Sequence, residues 1–175
     1  MRQVTPRELT AVSGEQVPVP DPGRLTHLQF RRFAGCPICN LHLRSVVQRH
    51  DEIAAAGIRE VVFFHSPAEE LRSYDLPFAL IADPGKQYYR EFGVESGRRA
   101  LGPRAWGAIL RGSALTLSGR FRPPAAKQDN GRLGLPADFL VDPSGRILAE
   151  KHGEHAYDQW SVDELLAHAR TAVRR

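Results

Sequence analysis

One stretch of the chain decides the fold, Leu28-Gln29-Phe30-Arg31-Arg32-Phe33-Ala34-Gly35-Cys36-Pro37-Ile38-Cys39. Apolar and polar residues alternate at its start, which predicts a β-strand. Pro37 then stands at the first position of a helix, where its fixed φ is favourable and its missing N–H costs nothing. The stretch therefore predicts a strand that passes directly into a helix at Cys36.

Cys36 and Cys39 are the only two cysteines of the chain. Residues three apart lie one above the other on a helix, so the two thiols can form a small disulfide with little backbone movement. The attacking species in thiol chemistry is the thiolate, which the unsatisfied N–H groups and positive dipole of a helix N-terminus stabilise. The spacing therefore predicts a dithiol/disulfide redox couple.

The apolar pattern of the helix distinguishes the two sulfurs. From Cys39 the apolar residues recur at helical spacing through Leu43 and Val46 to Ile53, which predicts a buried stripe headed by Cys39. Cys36 begins the helix, so we expect it to be the more exposed thiol. We infer that Cys36 attacks and that Cys39 resolves the product into an intramolecular disulfide.

Composition predicts one domain over residues 1–175. A chain of 175 residues with 42% hydrophobic residues can bury a sizeable core without disulfides. Residues 1–24 contain four prolines and little periodicity, which indicates an extended N-terminal lead-in. No apolar run predicts a secretion signal or membrane span, so we expect a cytoplasmic protein, in which a lone cysteine pair is catalytic or metal-binding rather than structural.

The positive charge is concentrated in residues 97–135. This basic insertion holds eight of the basic residues and one acidic residue, within a net charge of +4 for the whole chain. It has neither a recognition-helix pattern nor interleaved aromatic residues, so we expect no nucleic-acid partner. An anion-steering rim near the active-site edge is one interpretation, and a solvated loop is the other.

The remaining elements follow from local signals. The apolar run from Ile58 to Phe64 predicts a parallel strand, so that the chain forms a βαβ unit. Residues 77–82 predict a further strand and residues 86–92 a short helix. Residues 137–150 predict an antiparallel hairpin closed by a turn. Ser161 with Glu164 forms a capping-box signal for a C-terminal amphipathic helix.

Three segments carry a resemblance to a known family, namely Phe33 to Cys39, Asp83 to Val94 and Leu135 to Ile147. The chain resembles the peroxiredoxin-like proteins of the alkyl hydroperoxide reductase and thiol-specific antioxidant (AhpC/TSA) family, which belong to the thioredoxin-fold superfamily. The resemblance implies an α/β fold, a thioredoxin-like three-layer α/β/α sandwich with a central mixed β-sheet.

The same resemblance implies a thiol-dependent oxidoreductase that needs no bound cofactor. Its oxidising substrate would be a hydroperoxide, and a thioredoxin-like or low-molecular-weight thiol would return the electrons. Phe33 stands where peroxiredoxins usually carry Thr or Ser, and Gly35 stands where thioredoxins usually carry Trp. Exchange of dithiols and disulfides with other proteins therefore stays open as an alternative.

Four residues are candidates for positioning the substrate: Pro37, Arg32, His65 and Pro136. The resemblance implies that Pro136 is a cis-proline facing the cysteines; an ordinary trans proline before an edge strand is the alternative. Alternation sends Arg31 and Arg32 to opposite faces of the sheet, so only one can approach the thiols, and we favour Arg32.

His65 follows the parallel strand, at the same edge of the sheet as the thiols, where it could donate or accept a proton. Packing alone, with Ser66 capping a short helix, explains this pair equally well.

A metal-binding carrier is the alternative from a different functional class. Cys36, Cys39 and His42 could supply three ligands to zinc or copper, although a fourth ligand at suitable spacing is missing from the sequence. His42 precedes the apolar stripe position Leu43 by one residue, which favours a solvent-facing place on the helix. The sequence does not indicate the oligomeric state.

Overall fold

The computed structural model describes residues 3–94, 106–119 and 134–173. The bounds of its elements are β1 Arg7–Thr10, β2 Gln16–Val19, β3 Leu25–Phe30, α1 Pro37–Gln48, α2 His50–Ala55, β4 Ile58–Phe64, α3 Ala68–Leu71, β5 Ala79–Ala82, α4 Gln87–Glu91, α5 Trp106–Leu117, β6 Ala137–Val141, β7 Ile147–His152 and α6 Val162–Val173.

Five strands form a mixed sheet in the order β5-β4-β3-β6-β7. β3, β4 and β5 are parallel, whereas β6 is antiparallel to both β3 and β7. β3 is thus the central strand, and its C-terminal end leads into α1. The parallel arrangement of β3 and β4 around α1 confirms the predicted βαβ unit.

The helix after Cys36 is interrupted once before β4. α1 ends at Gln48, and the short α2 begins at His50. Gly57 then adopts φ of +73°, a left-handed conformation that costs glycine little and turns the chain into β4.

Apolar side chains fill one face of the sheet. Phe30, Phe63 and Phe139 lie side by side in three neighbouring strands, and Phe30 stacks on Phe63 with ring centroids 4.7 Å apart. Tyr89 and Phe92, on and directly after α4, pack onto the same cluster, as do buried residues of β1 and β2. Fully burying a large apolar side chain contributes about 1.5–3 kcal/mol, so this layer supplies much of the stability.

Helices α1 and α6 cover the opposite face. Ile38, Leu43 and Val46 of α1 are buried there, and the apolar face of α6 packs on the same side. Ser161 and Glu164 form the predicted capping box: the backbone N–H of Glu164 donates to Ser161 Oγ, and that of Ser161 to Glu164 Oε2.

The fold class was predicted from the resemblance and is confirmed by this layered mixed sheet. The N-terminal lead-in has more structure than the sequence predicted, and the basic insertion is described only in part. Within the lead-in, β1 and β2 form an antiparallel hairpin instead of remaining merely extended. Within the basic insertion, α5 is the described part, and residues 95–105 and 120–133 lie outside the described residues. In the part of the chain that the structure describes, no helix combines the length and the apolar character needed to cross a bilayer.

Candidate active site

The thiols occupy the first turn of α1. Cys36 is the N-cap residue and Pro37 the first helical residue, as the sequence predicted. The Cys36 carbonyl accepts the N–H of Asn40, and the N–H of Cys36 donates to the carbonyl of Phe33 at 3.1 Å, which makes a tight turn between β3 and the helix. The turn places both sulfurs at the C-terminal edge of the parallel strands, where α/β proteins commonly bind ligands.

Two hydroxyl groups hold this turn in place. The N–H of Ala34 donates to Ser66 Oγ at 3.0 Å, and the N–H of Gly35 donates to the Tyr74 hydroxyl at 2.7 Å. The Tyr74 hydroxyl in turn donates to Asn40 Oδ1 at 2.9 Å. Ser66 therefore bonds the thiol turn and does not cap α3, which begins after Pro67 with no side-chain cap. Nothing in the sequence indicated that Tyr74 reaches the turn.

The surroundings of Cys36 favour its thiolate. Burial alone would raise its pKa, but the thiol of Cys39 donates a hydrogen bond, and the charge of Arg32 acts in the same direction. With the backbone N–H groups of Ile38 and Cys39, these interactions lower the pKa of Cys36 to about 7. Arg32 Nη1 lies 3.7 Å from Cys36 Sγ.

Cys39 is shifted in the opposite direction. Burial raises the pKa of Cys39 well above its usual value, and its hydrogen bond to Cys36 and the charge on that sulfur raise it further. The backbone N–H of Arg32 lies 3.5 Å from Cys39 Sγ. One helical turn thus holds a thiol that ionises near neutral pH beside a thiol that keeps its proton.

The expectation that Cys36 is the more exposed thiol is wrong. Cys36 is 0% exposed and Cys39 2% exposed, and neither forms a disulfide. The reason is α5, which packs across α1. Ile109 of α5 contacts the apolar cluster that contains both sulfurs. A Cβ at Gly112 would lie 2.2 Å from the Pro37 carbonyl oxygen, so the close approach depends on glycine. The spacing of apolar residues in α1 could not predict this burial, because the residues that cover Cys36 here belong to a different helix, α5.

Arg32 and His65 form the wall beside the thiols. The Arg32 guanidinium lies over the Phe33 ring at 5.2 Å, and the backbone N–H of His65 donates to the Arg32 carbonyl. Burial lowers the pKa of His65 to about 4, with help from the charges of Lys86 and Arg32, so its imidazole is neutral at pH 7. At pH 7 it therefore holds no imidazolium proton to donate, and its low pKa makes it a weak proton acceptor.

Arg31 points to the other face, as alternation predicted, but it is fully buried and not solvated. Its Nη2 donates to Asp138 Oδ1 at 2.7 Å and to Gln29 Oε1 at 2.6 Å. Arg31 belongs to a group of six buried side chains that contact one another, and we call this group the buried charge cluster. Its members are His27, Gln29, Arg31, His42, Glu60 and Asp138.

His27 links the two carboxylates of the buried charge cluster. Its Nδ1 lies 2.8 Å from Glu60 Oε2 and its Nε2 3.1 Å from Asp138 Oδ1. Burial would lower the pKa of His27, but the charges and hydrogen bonds of Glu60 and Asp138 raise it to about 9. Burial would likewise raise the pKa of Asp138, yet Arg31 and His27 hold it well below its usual range. Two cations and two anions therefore balance inside the protein.

His42 belongs to this cluster, and the prediction that it faces solvent is wrong. The buried face of α1 is wider than the apolar stripe, because Asn40 and His42 are also buried. His42 Nε2 lies 3.1 Å from Arg31 Nη2. Burial and the Arg31 charge lower the pKa of His42 well below its usual value. A permanent cation thus occupies the position that a metal would need at this nitrogen.

The described residues contain no group of three His, Cys, Asp or Glu side chains arranged to hold a metal ion. The ligand set proposed from sequence, Cys36 with Cys39 and His42, is therefore not assembled.

Pro136 does not have the cis peptide bond that the resemblance implied. In the described residues the cis X-Pro bond is Val19–Pro20, and Leu135–Pro136 is trans, the intrinsically preferred isomer. In this form the Pro136 carbonyl accepts the N–H of Gly153 at 2.8 Å, which extends the pairing of β6 with β7 by one residue. The neighbouring Leu135 packs against the cluster that contains the thiols.

The comparisons with known proteins bear on the family and the fold of the chain. Residues 45–155 match the family model described as AhpC/TSA antioxidant enzyme, a range that begins after the two cysteines. A search of curated proteins found no match.

Three similar solved structures support the fold. The peroxidoxin BcpB of Mycobacterium tuberculosis is 18% identical, with a TM-score of 0.66 over 97% of this chain and 95% of that one. The bacterioferritin comigratory protein of Xanthomonas campestris, described as active in alkyl peroxide reduction, is 14% identical, with a TM-score of 0.64 over 95% and 91%. A putative thiol:disulfide interchange protein DsbE from Chlorobium tepidum is 18% identical, with a TM-score of 0.58 over 97% and 94%.

At these identities the structures show the thioredoxin-like fold alone, whereas the family model spans more than half of the chain. The chain therefore belongs to the AhpC/TSA antioxidant enzyme family, and it is a thiol oxidoreductase.

Proposed function

We propose that the protein reduces hydroperoxides, with Cys36 as the attacking thiolate and Cys39 as the resolving thiol. The observation that carries the proposal is the opposite shift of the two pKa values within one helical turn. The pKa of Cys36 falls to about 7 while that of Cys39 rises. A nucleophile ionised near neutral pH beside a thiol that keeps its proton is what an ordered two-step oxidation requires.

In the first step the Cys36 thiolate attacks the terminal oxygen of the hydroperoxide. A sulfur–oxygen bond forms from the sulfur electron pair and the oxygen–oxygen bond breaks, so sulfur is oxidised to a sulfenic acid. The alkoxide that leaves takes a proton from solvent and becomes an alcohol. Arg32, 3.7 Å from the sulfur, can hold the oxygen on which negative charge develops.

In the second step Cys39 attacks the sulfenic sulfur of Cys36. The disulfide forms, and the hydroxyl leaves as water with the proton of Cys39. Two external thiols, from a thioredoxin-like protein or a low-molecular-weight donor, then reduce the disulfide and become a disulfide themselves. Sulfur carries all the chemistry of this cycle. The cytoplasm, where such donors keep thiols reduced, is the compartment that fits it.

The cover over the thiols favours a small oxidant. With Cys36 fully buried under α5, even a peroxide needs α5 to move away from Pro37. A protein disulfide would need a larger opening, because a second chain must bring its sulfur into line with Cys36.

Exchange of disulfides with proteins is the second candidate. Two observations favour it. The side chain of Phe33, beside Arg32, has no hydrogen-bond donor for a peroxide. The putative thiol:disulfide interchange protein DsbE has a similar fold. This alternative requires Cys36 to attack a protein disulfide faster than it attacks a hydroperoxide.

The test is stopped-flow oxidation of the reduced protein by one equivalent of hydrogen peroxide or cumene hydroperoxide, followed by mass spectrometry. We expect the wild type to lose two hydrogens at the cysteine pair. Cys39→Ser should accumulate a sulfenic acid on Cys36 that dimedone traps, and Cys36→Ser should leave Cys39 unmodified.

Unchanged thiols after peroxide, together with fast reduction of a protein disulfide, would replace the proposal with the exchanger. Oxidation of Cys39 in Cys36→Ser at the wild-type rate would contradict the assigned order of the two sulfurs.

A further inference from the structure

One hydroxyl group joins the two ends of the cysteine turn. The Tyr74 hydroxyl accepts the N–H of Gly35, the residue before Cys36, at 2.7 Å. It donates to Asn40 Oδ1, one residue after Cys39, at 2.9 Å. Gly35 has a left-handed φ of +76°, and the N–H of Asn40 closes the first helical turn onto the Cys36 carbonyl at 3.0 Å. The hydroxyl therefore holds the chain on both sides of the two sulfurs.

Tyr74 is itself held by its backbone and by packing. It lies in the segment between α3 and β5, where its N–H donates to the carbonyl of the buried Leu71 at 3.0 Å. Its ring packs on Phe64 of β4 with centroids 5.8 Å apart, and it contacts the apolar cluster that contains both sulfurs. Because the ring is fixed against the sheet, its hydroxyl can hold the cysteine turn in one geometry.

The hydroxyl keeps its proton over the pH range in which the thiols react. Burial raises the pKa of Tyr74 well above its usual value; the N–H of Gly35 lowers it in part, and negative charge on the two sulfurs raises it. A neutral phenol can accept from Gly35 and donate to Asn40 at the same time, whereas a phenolate could only accept. Both bonds of the hydroxyl therefore persist when Cys36 ionises.

The stability of the fold does not by itself explain Asn40. This side chain is 0% exposed, and within the described residues its Nδ2 has no hydrogen-bond partner. A buried amide donor without a partner costs free energy, and asparagine is a poorer helix former than alanine or leucine. An apolar residue would stabilise this position of α1 better, so the amide is explained by the bond of its oxygen to Tyr74.

We propose that Tyr74 is a positioning residue for the thiol chemistry, and that its two hydrogen bonds keep the first turn of α1 folded around Cys36. The backbone N–H groups of Ile38 and Cys39 stabilise the Cys36 thiolate only while this turn stays helical. The inference rests on the proposed function for the role of Cys36 as the attacking sulfur. It adds a residue that lies far from the cysteines in the sequence.

The first experiment measures the rate at which iodoacetamide alkylates Cys36 in Tyr74→Phe as a function of pH, with the site identified by mass spectrometry. The midpoint should rise from about 7 to roughly 8, and the rate at pH 7 should fall about fivefold, because the N–H groups are no longer held toward the sulfur.

Tyr88→Phe is the matched control. It removes the hydroxyl of another partly buried ring, which packs on Phe63 at the opposite face of the sheet. Its midpoint should stay at about 7. An unchanged midpoint in Tyr74→Phe, or the same rise in both variants, would overturn the proposal.

A second experiment tests whether the hydroxyl acts through Asn40. Asn40→Ala should also raise the midpoint of Cys36, because one end of the turn is released. Tyr74→Phe added to Asn40→Ala should then raise it by less than Tyr74→Phe does in the wild type, since one of the two bonds is already absent. Fully additive effects would contradict a hydroxyl that holds both ends of the turn.

Amide hydrogen exchange separates positioning from a general loss of stability. In Tyr74→Phe the amides of Gly35, Ile38 and Cys39 should exchange faster, whereas those of β4 should keep their wild-type rates. Faster exchange throughout β4, together with a lower free energy of unfolding and an unchanged midpoint for Cys36, would mean that Tyr74 serves stability alone.

These readouts do not depend on which oxidant the protein reduces. If the midpoint rises in Tyr74→Phe but no peroxide oxidises the wild type, the peroxidase has failed and the positioning role stands. If peroxides oxidise the wild type and Tyr74→Phe changes neither the midpoint nor the rate, the peroxidase stands and the inference about Tyr74 is wrong.

Discussion

Arg31 and Arg32 are neighbours in the sequence, yet they serve two buried regions of opposite character. Arg31 lies in the buried charge cluster, where Asp138 and Glu60 balance it and His27. Arg32 lies at the thiol turn, beside a sulfur that gains and loses its proton near pH 7. In the buried charge cluster, opposite charges stabilise one another. At the thiol turn, the proton on Cys36 is exchanged near pH 7, and the covering helix α5 approaches closely only because residue 112 is glycine.

The comparison teaches that burial by itself does not define an active site. Both regions exclude water and both displace pKa values, but only the thiol turn contains a nucleophile whose ionised form is stabilised. We therefore expect changes in the charge cluster to alter stability, and changes around Arg32 to alter reactivity.

The largest effect is expected for Asp138→Ala. Removing this carboxylate leaves Arg31 and His27 buried without one of their partners, so the free energy of unfolding should fall by about 3–5 kcal/mol in urea denaturation. Asp163→Ala, at an exposed ion pair with Arg49, should change it far less, because solvent screens that pair.

If Asp138→Ala does not fold, Asp138→Asn gives a milder test of the same partner. A loss below about 1 kcal/mol in Asp138→Asn would show that the cluster does not stabilise the fold through its charges.

The second effect is a fall in stability as pH rises. The folded pKa of His27, about 9, is above the ordinary value of 6.5, so its contribution is complete below pH 6.5 and is lost as pH approaches 9. The lowered pKa of Cys36 acts in the opposite sense between pH 7 and 9, because its thiolate is favoured in the folded state. We therefore measure the free energy of unfolding in Cys36→Ser.

In that background the free energy of unfolding should fall by up to roughly 3 kcal/mol between pH 6.5 and 9. His27→Gln added to Cys36→Ser should flatten the profile. A flat profile with His27 present would mean that the imidazole is neutral, and the two carboxylates would then not be balanced as described.

The third effect concerns Arg32→Gln, which removes the positive charge beside Cys36. The pKa of Cys36 should rise from about 7 toward 9, and the rate of alkylation by iodoacetamide at pH 7 should fall roughly tenfold. Stability should change little, in contrast to Asp138→Ala. An unchanged rate alongside a large loss of stability would reverse the roles assigned to Arg31 and Arg32.

The smallest effect is expected for the cover. Gly112→Ala places a Cβ against the Pro37 carbonyl and should push α5 away, so that Cys36 is alkylated several-fold faster at a fixed pH. Gly107→Ala is the matched control: it lies in the same helix, gains the same helix propensity and meets nothing within 4 Å. Equal rates in the two variants would show that α5 does not limit access to the sulfur.

The sequence predicted the central part of the fold because its signals there are local. The alternating strand before Cys36, Pro37 at the start of α1 and the Ser161–Glu164 capping box each depend on residues within a few positions. The opposite directions of Arg31 and Arg32 also follow from the period of a strand.

The sequence could not predict what distant residues do to these elements. Tyr74 reaches the thiol turn, and Gly112 brings α5 onto Pro37, through contacts that no local pattern records. His42 was expected at the surface because it lies one residue before the apolar stripe of α1, and no local pattern indicated that Arg31 and His42 meet in the interior. Their burial depends on Glu60 and Asp138, which stand in strands that read as apolar. The structure shows why the polar residues of β3 are buried, because β3 is the central strand of the sheet.

The most direct test of the account is a pH titration of both cysteines by carbon-13 NMR of their Cβ atoms, which needs no reagent to enter the site. The reduced wild-type protein is followed from pH 5 to 10, with Cys39→Ser used for assignment. We predict that the Cys36 signal titrates with a midpoint of about 7 while the Cys39 signal stays that of a thiol beyond pH 9. Titration of Cys39 before Cys36, or of both together near 9, would contradict the assignment of Cys36 as the attacking thiolate.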